Sequence, residues 1–526
     1  MRIFTREEIR LIDEKSQSQY GINPEILMEI AGARAVEVFL KYRPDAGKSK
    51  PVIILAGLGN NGGDAMVIAR HLAGISRRTH VFLTGDSSKL KSPNSSHYNV
   101  LKNINVPVTE ISHISTLCTF FDQDPGHYDI IDGLLGTGMS GGTSGLYADV
   151  IELTQKHAGF VFSLDIPSGV DANTGAVAGT SFQADITASF GFPKLGHFFS
   201  PGAQLRGKLI NLELSYPVEL SQDSAIKLLR EKDVRPLIKH RDPYGHKNSF
   251  GHTLLIGGTP GRVGAITLSS KACHRTGSGL VTAATWAESW QPLMAHVSDE
   301  TMTIGIEDIN KITADPHALL SPFNAVVLGP GLGTDSRAKK LLESILETYQ
   351  GPLVIDADAI NLISMHGFHG RVKSRQAPCI LTPHPGEMSR LLKVDKDKIL
   401  LSPIGAIHQA IELTHATVVL KGAVTLIGGV DEPVYLSHYP NAGMATAGSG
   451  DVLAGILGAL SAQGYTAHHS ALLGVYLHSL AGDLAAQAHP HGSMMAGNII
   501  EKIGHAFEKI HESKNNRVST LFTAIR

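Results

Sequence analysis

Val52-Ile-Ile-Leu-Ala-Gly57-Leu-Gly59-Asn60-Asn61-Gly62-Gly63-Asp64-Ala65 is the stretch on which the reading of this chain turns. Five apolar residues bounded by glycine describe a strand buried on both faces. The glycine turn runs on into a helix expected to start near Asp64. Amides at such a helix start can hold a phosphate. The spacing fits neither the dinucleotide fingerprint nor the P-loop, so the loop taken alone is equally a tight turn without a ligand.

The same strand–glycine–helix unit recurs at Ile130-Ile-Asp-Gly, Val161-Phe-Ser-Leu-Asp, Thr253-Leu-Leu-Ile-Gly-Gly, Ala325-Val-Val-Leu-Gly, Leu353-Val-Ile-Asp-Ala and Cys379-Ile-Leu-Thr. Such units predict an α/β fold, with mostly parallel sheets covered by helices on both faces. The opening stretch to about Tyr42 has helical spacing, and Gly32 within it marks a close helix contact. A charged, helix-like run, Ser224-Ala-Ile-Lys-Leu-Leu-Arg-Glu-Lys-Asp-Val-Arg-Pro-Leu, precedes a new strand at Gly251. With 526 residues, against the roughly 250–300 at which single cores stop growing, two domains are expected, residues 1–220 and 221–526. Their motifs differ, which argues against internal duplication.

Lys+Arg 46 against Asp+Glu 48 leaves no electrostatic footprint for nucleic acid or a membrane surface. The start has no apolar signal segment, and no run of about 18 apolar residues occurs; a cytoplasmic protein is the expectation. Cys118, Cys273 and Cys379 stand far apart, so they read as ordinary thiols. His468-His469 and His489-Pro-His491 lack partners at metal spacing and read as surface residues.

Two further strands end in Asp132-Gly-Leu-Leu-Gly136-Thr137-Gly138-Met139-Ser140-Gly141-Gly142 and Asp165-Ile-Pro167-Ser168-Gly169. Successive strand ends of a parallel sheet share one edge, so three loops converge on one crevice. Asn61, Asp132 and Ser168 offer only oxygen ligands, which suits a hard cation such as potassium more than zinc. In the second half, Asn441-Ala-Gly443-Met-Ala-Thr446-Ala-Gly448-Ser449-Gly450-Asp451 opens an apolar helix. Amides of Gly448, Ser449 and Gly450 would form an anion hole aided by the helix dipole. Asp451 could also be a simple cap, although a cap does not require the glycines before it.

Asn-Asn-Gly-Gly-Asp, Leu-Leu-Gly-Thr-Gly and Asp-Ile-Pro-Ser-Gly, in this order, resemble the NAD(P)HX epimerase domain, which has a Rossmann-like three-layer α/β/α fold. The resemblance implies that Asn60, Asn61, Gly62, Gly63 and Asp64, with Gly136, Thr137, Gly138, Met139, Ser140, Gly141 and Gly142, hold the hydrated dinucleotide. It further implies potassium at Asn61, Asp132 and Ser168, and substrate contact by Asp165. Inverting C6 of the hydrated ring requires proton transfer, for which Asp165 is the candidate, as proton carrier or as orienting group. Lys194 could assist as a cation or proton donor, or be a solvated loop lysine. The family loop reads Asn-Gly-Gly-Asp-Gly where this chain has Ala65; a helical position tolerates that methyl, and a positive φ does not.

Gly-Ser-Gly-Asp before a late helix resembles the ribokinase-like superfamily. Over residues 235–505 it is accompanied by His246-Lys-Asn-Ser-Phe-Gly251-His252, Gly264-Ala-Ile through Gly277-Ser-Gly, Gly329-Pro-Gly331-Leu-Gly333, Asp356-Ala-Asp358-Ala-Ile-Asn361, Thr382-Pro-His384-Pro-Gly386-Glu387 and Lys421-Gly-Ala-Val-Thr425. Together these resemble the ADP-dependent NAD(P)HX dehydratase, so the whole chain resembles the bifunctional NAD(P)H-hydrate repair enzymes. The resemblance implies an ADP site at Lys421, Gly422, Ala423, Val424 and Thr425 and at Ala442, Gly443, Met444, Ala445, Thr446, Ala447, Gly448, Ser449 and Gly450. Gly331, His384 and Asp451 would contact NADHX or NADPHX, with Asp451 as base. Mg2+ is expected with the nucleotide, and the family implies a homo-oligomer. A small-molecule kinase, or a non-catalytic binding module in the first half, remains compatible with the motifs taken singly.

Overall fold

Burial on both faces is what the strand Val52–Ala56 shows, with every residue inaccessible to solvent. In this computed structural model, which describes residues 1–138, 141–222, 224–490, 492–512 and 522–525, it lies between Thr79–Thr84 and Tyr128–Gly133. The first sheet runs in the order 208–212, 186–190, 158–164, 128–133, 52–56, 79–84, 108–111, all parallel. From its centre the chain moves outward to Val108–Ile111 and then returns to the other side at Tyr128–Gly133. This reversal opens a crevice at the carboxyl ends of the two central strands. Helices Pro24–Tyr42 and Asn60–Gly74 cover one face, and Ser115–Gln123 and Leu146–Lys156 the other, a three-layer α/β/α unit. Gly32 is the expected close contact: a Cβ there would stand 2.4 Å from Val67 Cγ1. The outer strand Lys208–Leu212 is paired antiparallel by the terminal strand Phe522–Ile525.

The second sheet repeats the logic with different sequences. His252–Ile256 leads outward to Leu280–Trp286 and Met302–Ile306, while Ala325–Leu328 starts the return through Leu353–Ile355, Cys379–Leu381 and Thr417–Leu420, all parallel. Val424–Gly428 and Val434–His438 then turn antiparallel. Helix Ser449–Ala462 is apolar nearly all round, and it packs with Val263–Arg275, Ala467–Ala488 and Ala496–Glu512 over one face. Residues Arg2–Ala225 with Phe522–Ile525 form one compact unit, and Ile226–Glu512 lie in the other.

Two expectations need correction. The first-site helix begins at Asn60, not near Asp64, because Gly59 is extended (φ −86°) and its carbonyl already accepts from Gly62 and Gly63. The run after Ser224 is not continuous helix: Ile226–Leu228 is a strand parallel to Val434–Leu436, with Ile226 and Leu228 buried and only short helical turns following. A period of two in three residues is hidden by the charges around it.

Candidate functional sites

A cavity of about 900 Å3 occupies the crevice of the first unit. Asn60, Asn61, Asp64, Gly136, Thr137, Gly138 and Asp165 line it. Gly62, Gly63, Gly141 and Gly142 are not part of its lining; Met139 and Ser140 fall outside the described residues. Gly62 is a point of close approach: a Cβ would come within 1.9 Å of the Gly57 carbonyl oxygen. Ala65 is inside the helix and fully buried, its methyl facing Gly133, so the departure from the family loop involves no positive φ.

Asp165 has a φ of 63°, a conformation costly for a residue with a Cβ. Its N–H donates to Ala188 O at 2.7 Å, and its Oδ1 accepts from Phe190 N at 3.1 Å and from the Lys194 ammonium. Lys194 is not a solvated loop lysine. It is fully buried, and its Nζ also donates to Phe190 O at 3.0 Å. His197 accepts from Lys194 N at Nδ1 and donates from Nε2 to Asp165 O at 2.9 Å. Burial, then the Lys194 charge, holds this imidazole well below its usual pKa, so it is a neutral strut. Asp64 is pushed well above the carboxylate range by burial and then by the charge of Asp165.

Beneath the cavity floor, Asp132 is fully buried. It accepts from Ser163 Oγ (2.9 Å), Ser168 N (2.9 Å) and Ser168 Oγ (2.5 Å), with no cation paired to it among the described residues. Burial raises its pKa to about 6. Asn61 donates to Leu135 O and Leu164 O, which leaves its buried Oδ1 without a partner. A buried carboxylate held by neutral donors alone, Leu134 N among them, and an orphaned amide oxygen linked to it through Leu135 O and Ser168 Oγ fit a monovalent cation.

In the second unit, strand ends again converge. Lys421 follows Thr417–Leu420, and its Nζ donates to Asp356 Oδ1 at 2.7 Å while standing 3.9 Å from Glu387 Oε2. Thr382 Oγ1 donates to the same Asp356 oxygen at 2.6 Å. Burial opposes the Lys421 charge, but Asp356 and Glu387 outweigh it and hold its pKa above the usual value. A Cβ on Gly450 would lie 3.3 Å from Lys421 Nζ, so the ammonium abuts the glycine loop. Gly448 is left-handed (φ 92°) and caps helix Ser449–Ala462, with Asp451 in its first turn. Burial, then the charge of Asp356, lifts Asp451 to about 7. His384 caps helix Pro385–Leu392, its Nδ1 accepting from Gly386 N at 2.9 Å, and its side chain is half exposed. Gly331 accepts from Thr259 N at 2.7 Å, and Gly333 N donates to Asp358 Oδ2. Gly422 and Ala423 form an exposed turn before Val424 and Thr425, and Ala442–Met444 is a single helical turn leading to Ala445, Thr446 and Ala447.

Sequence reasoning passed over Asp13, Tyr216, Asp356 and Glu387. The last two stand in quoted motifs, and a lysine expected at an anion site calls for nearby carboxylates. Asp13 and Tyr216 carry no such signal. His468 is not a surface residue: its side chain is 12% exposed, 3.7 Å from Glu432 and packed near the Tyr435 ring. His491 lies outside the described residues. Cys273 and Cys379 are buried and Cys118 partly so, all three free. Among the described residues no cluster of three or more His, Cys, Asp or Glu is placed for a metal ion, and no helix is long and apolar enough to cross a membrane.

Residues 253–505 match the family model described as NAD(P)H-hydrate dehydratase, and 24–196 match that of the YjeF-related protein N-terminus. A bifunctional NAD(P)H-hydrate repair enzyme of Moorella thermoacetica is 33% identical, covering 97% of this chain and 98% of its own. The Coxiella burnetii enzyme of the same description is 34% identical over 94% and 97%. Among solved structures, the ADP/ATP-dependent NAD(P)H-hydrate dehydratase of Bacillus subtilis, co-crystallised with ATP and Mg2+, is 25% identical and covers 54% of this chain and 98% of its own, with a TM-score of 0.49.

Proposed function

The chain belongs to the family of bifunctional NAD(P)H-hydrate repair enzymes, and from that premise we propose that its first unit interconverts the R and S forms of NAD(P)HX and its second dehydrates the S form with ADP, giving NAD(P)H, AMP and phosphate. The observation that carries the reading is Asp451, poised at about 7 in the first turn after Gly448-Ser449-Gly450 and within the field of Lys421. A base with a pKa near working pH can take the C6 hydroxyl proton as the β-phosphoryl group of ADP transfers to that oxygen. Hydroxide leaves poorly. Phosphate leaves well, expelled by the lone pair of the ring nitrogen, and loss of a C5 proton completes the dihydropyridine.

The ADP site is assigned to Lys421–Thr425 and Ala442–Gly450, and the hydrated ring to Gly331, His384 and Asp451. Lys421 neutralises phosphate charge, and the loop amides orient it. Mg2+ would be held chiefly by the nucleotide phosphates and would supply neutralisation of their charge, which suits an ion that prefers few protein ligands. In the first unit, the loops 60–64 and 136–142 hold the dinucleotide and the Asp165–Lys194 pair handles the proton. Asn61, Asp132 and Ser168 would hold K+, which supplies charge compensation beneath the floor. A cytoplasmic homo-oligomer completes the reading, supported by the family resemblance.

The test supplies hydrated NADH with ADP to the purified protein and follows absorbance in the NADH band. Complete conversion of a mixed R and S pool is expected. Absence of NADH regeneration refutes the dehydratase, and a reaction stalling at the spontaneous epimerisation rate once S is consumed refutes the epimerase.

A further inference from the structure

Among the side chains on the first cavity that have no part in the function above, two are paired with each other. Asp13 sits on helix Arg6–Tyr20 and Tyr216 follows strand Lys208–Leu212, and both line the cavity that holds Asp165 and Lys194. Both also lie outside the span 24–196 matched by the family model. The Tyr216 hydroxyl donates to Asp13 Oδ1 at 2.6 Å. No other hydrogen bond to that carboxyl occurs among the described residues, which leaves Oδ2 free. The phenol is held in place. Its ring stacks on Phe192 with centroids 5.7 Å apart, and it lies so close to Gly191 (φ 69°) that a Cβ there would be 2.6 Å from Tyr216 Cε2. The loop Gly191-Phe-Pro-Lys194 therefore fixes Lys194 and Tyr216 together.

We propose that Asp13 is a second proton-transfer group of the epimerase site, aimed by Tyr216 as a positioning residue. The proposal rests on the epimerase reading. Inversion at C6 needs the hydroxyl to leave one face and return on the other. An acid protonates it, the C6–O bond breaks as the N1 lone pair forms the C6=N1 cation, and water departs. Water then adds to the opposite face and returns a proton to a base, so nothing is consumed. One carboxyl on one wall serves one face; Asp165 and Asp13 enter from separate elements. Asp13 is an exposed residue, yet desolvation of its carboxyl at the cavity raises the pKa, and the Tyr216 hydrogen bond opposes that rise, which suits a group that both gives and accepts a proton.

The experiment uses the full-length chain and pure R epimer of NADHX without ADP, with the S form quantified by chromatography and the spontaneous rate subtracted. No interconversion by the wild type refutes the epimerase reading itself. Given that activity, Asp13→Asn is expected to lower its kcat at least tenfold, while ADP-dependent conversion of pure S epimer stays at the wild-type rate. Tyr216→Phe is expected to move the acid limb of the epimerisation profile to higher pH, because the lost hydrogen bond had favoured ionised Asp13. Wild-type epimerisation by Asp13→Asn overturns the proposal. If that variant loses its first-unit melting transition, Tyr216→Phe decides, and an unmoved profile overturns it.

Discussion

Replacing Asp451 with asparagine should inactivate the dehydratase and stabilise the protein at the same time. The carboxyl's pKa moves from 3.8 to about 7 on folding, chiefly by burial and then by Asp356. A group whose folded pKa is raised is bound more tightly as the acid. Stability is therefore fully present below about pH 4 and falls as pH rises towards 7. At ~1.4 kcal/mol per pH unit, the displacement corresponds to about 4 kcal/mol as an upper bound. Asparagine keeps the shape without the charge. Asp451→Asn should thus melt higher than wild type at pH 8, and the difference should vanish near pH 4, as followed by calorimetry of the full chain without nucleotide. The second unit's transition is the one to move, by roughly 2–4 °C for each kcal/mol. Wild-type ADP-dependent turnover in the variant would refute the base assignment. A variant that is less stable than wild type at pH 8 would refute the electrostatic argument.

Lys421→Met strands the buried Asp356 carboxylate, whose side chain is 2% exposed, and should cost about 3–5 kcal/mol of second-unit stability in denaturant titration. Because Lys421 lowers the Asp451 pKa, residual turnover should have its acid limb above 7. Gly62→Ala drives a Cβ to 1.9 Å from a backbone oxygen, which no rotamer relieves; a loss of about 1–3 kcal/mol from the first unit is expected by calorimetry, with epimerisation abolished. Exchanging K+ for choline should lower the first unit's melting temperature and leave the second unchanged. Asn61→Ala should remove that salt response, because its orphaned Oδ1 is the proposed ligand atom.

The glycine loops at the ends of apolar strands were legible in the sequence, because a buried parallel strand must be apolar throughout and a chain that approaches a ligand closely must be glycine. Asp165 and Asp451 each stand next to such a loop, but the roles expected of them came from the family resemblance. The boundary of the first helix was not legible: the extended Gly59 and its doubly used carbonyl belong to the turn's geometry, not to residue type. Nor was the strand Ile226–Leu228, where three residues are too few to display a period. Above all, sequence alone could state that carboxylates and lysines are present, but not which ones meet. The sequence leaves Lys194 open between a group of the site and a solvated loop lysine, and only the fold, which buries it against Asp165, decides between them. Asp13 and Tyr216 stand 203 positions apart and become a pair only across the cavity of the folded unit. Local pattern determines which segments form strands and loops. Proximity between distant segments, and the charge environment that sets each pKa, exist only once the sheet order has brought those segments together.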